Sequence, residues 1–126
     1  MKILIVDDED VCSRAIVNHL QLCGYETSTA RNGAEALDQI TLRRPDVVIA
    51  DVGMPRIDGP ELLEEIDVRF GDIPVILIVD RERHEQELFS QTARALACFN
   101  KPFDMDEVIA LLAQLRAHRH QSRRSA

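Results

Sequence analysis

The chain has no tryptophan, one tyrosine and four phenylalanines, so its core must be aliphatic, and it lacks a platform of rings on which bases could stack. Cysteine is scarce too: Cys12 and Cys23 lie eleven residues apart in one expected helix. At about 1.5 Å rise per residue their separation is roughly 16 Å, beyond the ~7 Å that a disulfide spans. The third, Cys98, forms no CxxC, and none of His19, His84, His118 and His120 is spaced with a cysteine as a zinc ligand set would be. Long hydrophobic runs are missing. The opening MKILIVDDED turns acidic at position 7, unlike a signal peptide, and no stretch approaches the ~18 apolar residues of a membrane span. A reducing, cytoplasmic setting is therefore expected. Cations are outnumbered, 15 Lys and Arg against 22 Asp and Glu, and the net charge of -7 argues against a general electrostatic grip on nucleic acid.

Aliphatic residues are abundant, and 126 residues suffice for one domain with one core. Short β-branched or aliphatic runs recur: KILIV at 2–6, ETSTA at 26–30, DVVIA at 46–50, PVILIV at 74–79 and ALACF at 95–99. Between them the pattern turns helical. Val11, Ala15, Leu20 and Cys23 mark a first helix that Gly24 stops; Ala36, Leu37 and Ile40 mark a second over 33–43. Pro60 opens a third with Leu62, Leu63 and Ile66 inward, and Leu88, Phe89 and Ala93 indicate a fourth. A fifth spans 104–118, with Asp104 as cap, Glu107 three residues on, and Val108, Leu111, Leu112 and Leu115 on one face. Fivefold alternation of strand and helix predicts an α/β domain with a parallel sheet covered on both faces. The polar residues after the last helix read as a frayed end.

Most of these apolar runs give way abruptly to charge. The first ends on Asp7 and Asp8, the third on Asp51, the fourth on Asp80, and the fifth on Asn100 and Lys101. Parallel strands end on one rim, so these groups are expected to converge. Clustered carboxylates repel unless a cation offsets them, and Mg²⁺ favours oxygen ligands; a lysine adds a compact charge able to reach a phosphoryl oxygen. Taken singly, the acids at 7–10 also suit a helix N-terminus, and Lys101 a solvated loop.

The combination VDDED at 6–10, DVGMPRIDG at 51–59 and NKPF at 100–103 resembles the receiver domain of two-component response regulators, over roughly residues 2–118. The resemblance implies a flavodoxin-like fold, a five-stranded parallel sheet of order 2-1-3-4-5 sandwiched by five helices, with a receiver domain at 1–118 and a polar tail at 119–126. It implies a phosphoacceptor taking its phosphoryl group from a sensor histidine kinase or phosphotransfer protein. Asp51 would be the phosphorylated residue and Lys101 the phosphoryl contact. Asp8 and Asp51 would hold Mg²⁺ directly, Asp7 through water, and the Gly53 carbonyl would complete the protein ligands. Pro102 would follow a cis bond. A downstream protein would dock on the face made by the fourth helix, fifth strand and fifth helix, with a homodimer possible, no direct contact with nucleic acid or membrane, and no catalysis beyond the domain's own phosphorylation and dephosphorylation.

Three positions depart from the family. Val79 stands where receivers carry a Thr or Ser hydroxyl, Asp80 where a small residue is usual, and Cys98 where an aromatic ring is usual, with Phe99 one step later and so on the opposite face of its strand. A hydrogen bond to a charged acceptor, worth roughly 1.5–3 kcal/mol, is unavailable to valine. Asp7, Asp8 and Asp51 are balanced by a divalent cation plus Lys101, and an inward Asp80 would leave one negative charge in excess. Cys98 is expected to be small and buried. These departures keep a second reading open, a degenerate receiver acting as a phosphorylation-independent interaction module. A haloacid-dehalogenase-like phosphatase would need a second Asp two residues after Asp51, where Gly53 stands. The chain stops soon after the fifth helix, which suits a stand-alone receiver or a piece of a longer regulator.

Overall fold

The computed structural model describes residues 1–51, 59–79 and 95–124. Strands β1 (Lys2–Val6), β2 (Glu26–Ala30), β3 (Val47–Asp51), β4 (Val75–Val79) and β5 (Ala97–Asn100) pair in parallel in the order β2-β1-β3-β4-β5. The helices are α1 (Asp10–Leu22), α2 (Gly33–Leu42), α3 (Gly59–Phe70) and a C-terminal helix, α4 (Met105–Arg124). The helix expected through Leu88, Phe89 and Ala93 lies outside the described residues.

The unbroken aliphatic runs form the centre of the sheet. β3 and β4 are buried along their whole length, and β1 from Ile3 onward. Alternation then splits each strand between two layers. Leu4, Val6, Val48, Ala50, Val75, Leu77 and Val79 pack with Ala36, Leu37 and Ile40 of α2 and Leu62, Leu63 and Ile66 of α3. On the opposite face Ile3, Ile5, Val47, Ile49, Ile76 and Ile78 meet Ile16 and Leu20 of α1 and Val108 and Leu112 of the C-terminal helix. At about 25 cal/mol per Å² of apolar surface removed from water, this two-sided burial is the main stabilising contribution.

Local signals fix the helix ends. Gly24, at φ 89°, and Tyr25 donate their N–H groups to Gln21 and Leu20, a Schellman closure of α1 that favours glycine. Asn32 Oδ1 accepts from Glu35 N at 2.8 Å and caps α2. Asp104 caps the C-terminal helix as expected, accepting from Asp106 N at 2.9 Å.

Two helix readings need correcting. Among the described side chains the inward stripe of α1 is Ser13, Ile16 and Leu20, with Ala15 and Cys23 exposed and Val11 outside the described side chains; Ile16 and Leu20 are four apart and stack on one face, whereas Ala15 is turned away by a full residue. The C-terminal helix does not end at 118 but runs to Arg124. Residues 119–124 hold no glycine or proline, and arginines suit a helix C-terminus. No described helix is long and apolar enough to cross a membrane.

Candidate functional site

Strand register builds the site. Val6 of β1 lies opposite Ala50 of β3, so the next residues, Asp7 and Asp51, emerge side by side at the carboxyl rim. Lys101 follows the last residue of β5, and its backbone N–H donates to the Val79 carbonyl at 2.8 Å, extending the ladder to the same rim. From there Nζ reaches Asp51 Oδ2 at 3.0 Å. The Lys101–Pro102 peptide bond is cis.

The acids converge as expected: Asp7, Asp8 and Asp51 each offer a carboxylate oxygen within 4.8 Å of the others. Asp7 and Asp51 are buried and Asp8 is exposed. Asp7 is held in place by Glu9 N, which donates to its Oδ1 at 3.0 Å, while its own N–H donates to the Ala30 carbonyl at 3.0 Å. Sequence reasoning missed this role of the Glu9 backbone; the readable signal was an aspartate at a strand end two residues before the next helix, the setting of an Asx-turn.

Burial dominates the electrostatics. It pushes the Asp7 carboxyl up to about 6 against the opposing Glu9 N–H bond, and Asp51 adds to the rise. Asp51 is also raised, first by burial, with the Lys101 bond and charge pulling against it. Its Oδ1 is buried without a hydrogen-bond partner. A buried carboxylate oxygen with an open lone pair, beside two more acids, fits a hard divalent cation better than it fits any side chain among the described residues.

The three departing positions fare differently. Val79 is buried to 1% exposure and packs in the layer under α2 and α3, so the end of β4 presents an apolar side chain and a carbonyl already engaged by Lys101 N. Cys98 is exposed, correcting the expectation of burial. β5 is the edge strand of the described sheet, and its Phe99 packs against the layer of α1 and the C-terminal helix; the alternation expected for Phe99 and Cys98 holds. Asp80 and Gly53 lie outside the described residues.

Sheet order, rim position and acid-lysine geometry define a class, and comparison with known proteins agrees. Residues 3–113 match the model of the response regulator receiver domain, and the chain belongs to that family. Its fold is the flavodoxin-like arrangement of receivers. Among curated relatives, the response regulator MprA of Mycobacterium avium is 35% identical over 117 residues, covering 93% of this chain and 50% of that protein. The chain thus spans about half the length of the curated relatives it matches. Among solved structures, the response regulator TrrA of Thermotoga maritima, in complex with Mg²⁺ and BeF, is 34% identical with a TM-score of 0.80, covering 90% of this chain and 97% of that one. The receiver domain of a signal transduction histidine kinase from Syntrophus aciditrophicus is 30% identical with a TM-score of 0.84, covering 93% and 90%.

Proposed function

We propose that this receiver accepts a phosphoryl group on Asp51 from a histidine kinase or phosphotransfer protein, with Mg²⁺ bound, and signals by altered partner binding. The observation that carries the reading is the Asp51 carboxylate itself, with Oδ2 paired to Lys101 and Oδ1 buried and unpartnered. Asp7, Asp8, Asp51 and the Gly53 carbonyl would hold the cation, which supplies charge stabilisation for a loose phosphoryl-transfer transition state. The unpartnered Oδ1 suits the metal, and Oδ2 suits the incoming phosphorus, because a phosphoryl group there lies beside Lys101. In the transfer an Asp51 oxygen bonds to phosphorus as the bond to the donor histidine nitrogen breaks, and the donor ring, already protonated on its other nitrogen, takes the electron pair and leaves as neutral imidazole. Lys101 Nζ pairs with the phosphoryl oxygens. The domain would catalyse only its own phosphorylation and dephosphorylation, and a downstream protein would read the result on the β5 side.

Incubation with Mg²⁺ and acetyl phosphate or beryllofluoride, followed by intact mass or NMR, tests this. Uptake should occur in the native chain and vanish in Asp51→Asn. Absence of uptake by the native chain would refute phosphoacceptance and leave an acidic-pocket interaction module.

A further inference from the structure

Among the described residues, the apolar packing of the C-terminal helix stops before the helix does. Its last packed apolar residue is Leu115, and Arg116 lays its guanidinium 5.5 Å from the centre of the Tyr25 ring. The helix then continues from 117 to Arg124, about 12 Å more at 1.5 Å per residue. Positions 119 and 122, which would prolong the seating stripe, are arginine and serine. From 116 to 124 there are four arginines, two histidines and no acid. Arg116, Arg119, His120 and Arg123 recur at i, i+3, i+4 and i+7, the spacing of one helix side.

The rest of the chain carries the opposite charge, and α3 repeats the same spacing. Glu61, Glu64 and Glu65 are exposed at i, i+3 and i+4, and Val68, 79% exposed, follows at i+7. Within one molecule α3 packs on one face of the sheet and the C-terminal helix on the other. A basic helix end and an acidic helix face kept apart by the sheet can meet only between molecules.

We propose that the arginine-rich end of the C-terminal helix docks on the acidic outer face of α3 in a second copy of this chain, head to tail. The contact is independent of Asp51 and of phosphorylation. Exposed ion pairs are individually weak and are screened by salt, so the association is weak, concentration-dependent and strongly salt-sensitive. Because the two surfaces differ, the contact is heterologous and can extend beyond a pair.

Sedimentation over a concentration series at low ionic strength should give a weight-average mass that rises with concentration, and about 0.5 M salt should weaken the association about tenfold or more. Charge reversal of the helix end (Arg116→Glu, Arg119→Glu, Arg123→Glu) and of α3 (Glu61→Lys, Glu64→Lys, Glu65→Lys) should each give monomers, and an equimolar mixture of the two should associate again. Circular dichroism checks that each folds; the milder pair Arg119→Gln, Arg123→Gln, which removes charge without reversing it, serves if one does not. A native chain that stays monomeric at low salt, reversed variants that associate as before, or a mixture that stays monomeric would overturn the proposal. So would a monomer whose helix end instead binds a DNA duplex, with that binding lost in the arginine variants.

Discussion

Asp7→Asn should stabilise the metal-free protein, which is unusual for a change to a buried polar residue. In the folded chain the Asp7 carboxyl is held up to about 6 from its ordinary 3.8, chiefly by burial and then by the Asp51 charge. The folded state therefore binds the Asp7 proton more tightly than the unfolded chain does. Below pH ~4 the group is neutral in both states and costs nothing; between ~4 and ~6 the unfolded chain ionises it first; above ~6 the penalty is complete. A displacement of about two pH units corresponds to about 3 kcal/mol. Asparagine keeps an Oδ1 to accept the Glu9 N–H bond but adds amide donors that need partners, so a net gain of about 1–3 kcal/mol is expected at pH 7.5. That is a large share of the 5–15 kcal/mol typical of a domain. With no tryptophan in the chain, urea unfolding followed by far-ultraviolet circular dichroism in EDTA is the suitable assay. Subtracting native from variant at each pH cancels the carboxylates that do not interact with Asp7, and the difference should shrink towards zero as pH falls from 6 to 4. Saturating Mg²⁺ should reverse the order, because the native acids then bind a ligand that the variant holds less well. A variant less stable than the native chain in EDTA at pH 7.5, or a difference independent of pH, would refute the reasoning.

Lys101→Met leaves the buried Asp51 without its cation; stability should fall by about 1–3 kcal/mol in EDTA, the Asp51 carboxyl should rise further, and phosphorylation by acetyl phosphate should slow about a hundredfold. Val79→Thr adds a hydroxyl at nearly constant shape to the end of β4; beryllofluoride affinity, measured by calorimetry, should increase about tenfold to a hundredfold, whereas unchanged affinity would show that the hydroxyl does not reach the ligand. If the Asp80 carboxylate faces the site, in excess of the local cations, Asp80→Ala should tighten beryllofluoride binding in the same assay, and an unchanged value would refute the charge-crowding argument.

The central strands were readable because burial on both faces leaves no polar position: ILIV, VVIA and VILIV mark β1, β3 and β4 directly. The site was readable for a related reason, since a carboxylate ending such a strand has one place to go, the rim shared with its neighbours. Lys101 was legible through position alone, and its bond to Asp51 follows from β5 carrying it to that rim. Edges were harder. Whether Cys98 is buried depends on what covers the outer side of β5, and a four-residue run holds no record of that. The α1 stripe was misassigned because Ala15 and Cys23 count as apolar, while the inward position 13 is a serine. The end of the C-terminal helix escaped notice because pattern locates a helix through its apolar stripe, and that stripe gives way to arginine and serine at positions 119 and 122.

The acids and the lysine of the site stand on parts of the sheet that differ in solidity. Asp7 follows β1 and Asp51 ends β3, strands buried inside the sheet, whereas Lys101 rides on β5, whose residues are half-buried or exposed and which among the described residues pairs on one side only. Local opening free energies track such differences. Amide protons of β1 and β3 should thus exchange only through global unfolding, and those of β5 through cheaper partial openings that carry the lysine away. Added charge on Asp51 strengthens the pull on Lys101 and should slow exchange along β5, so that the sheet's margin acts as a gauge of what its interior holds.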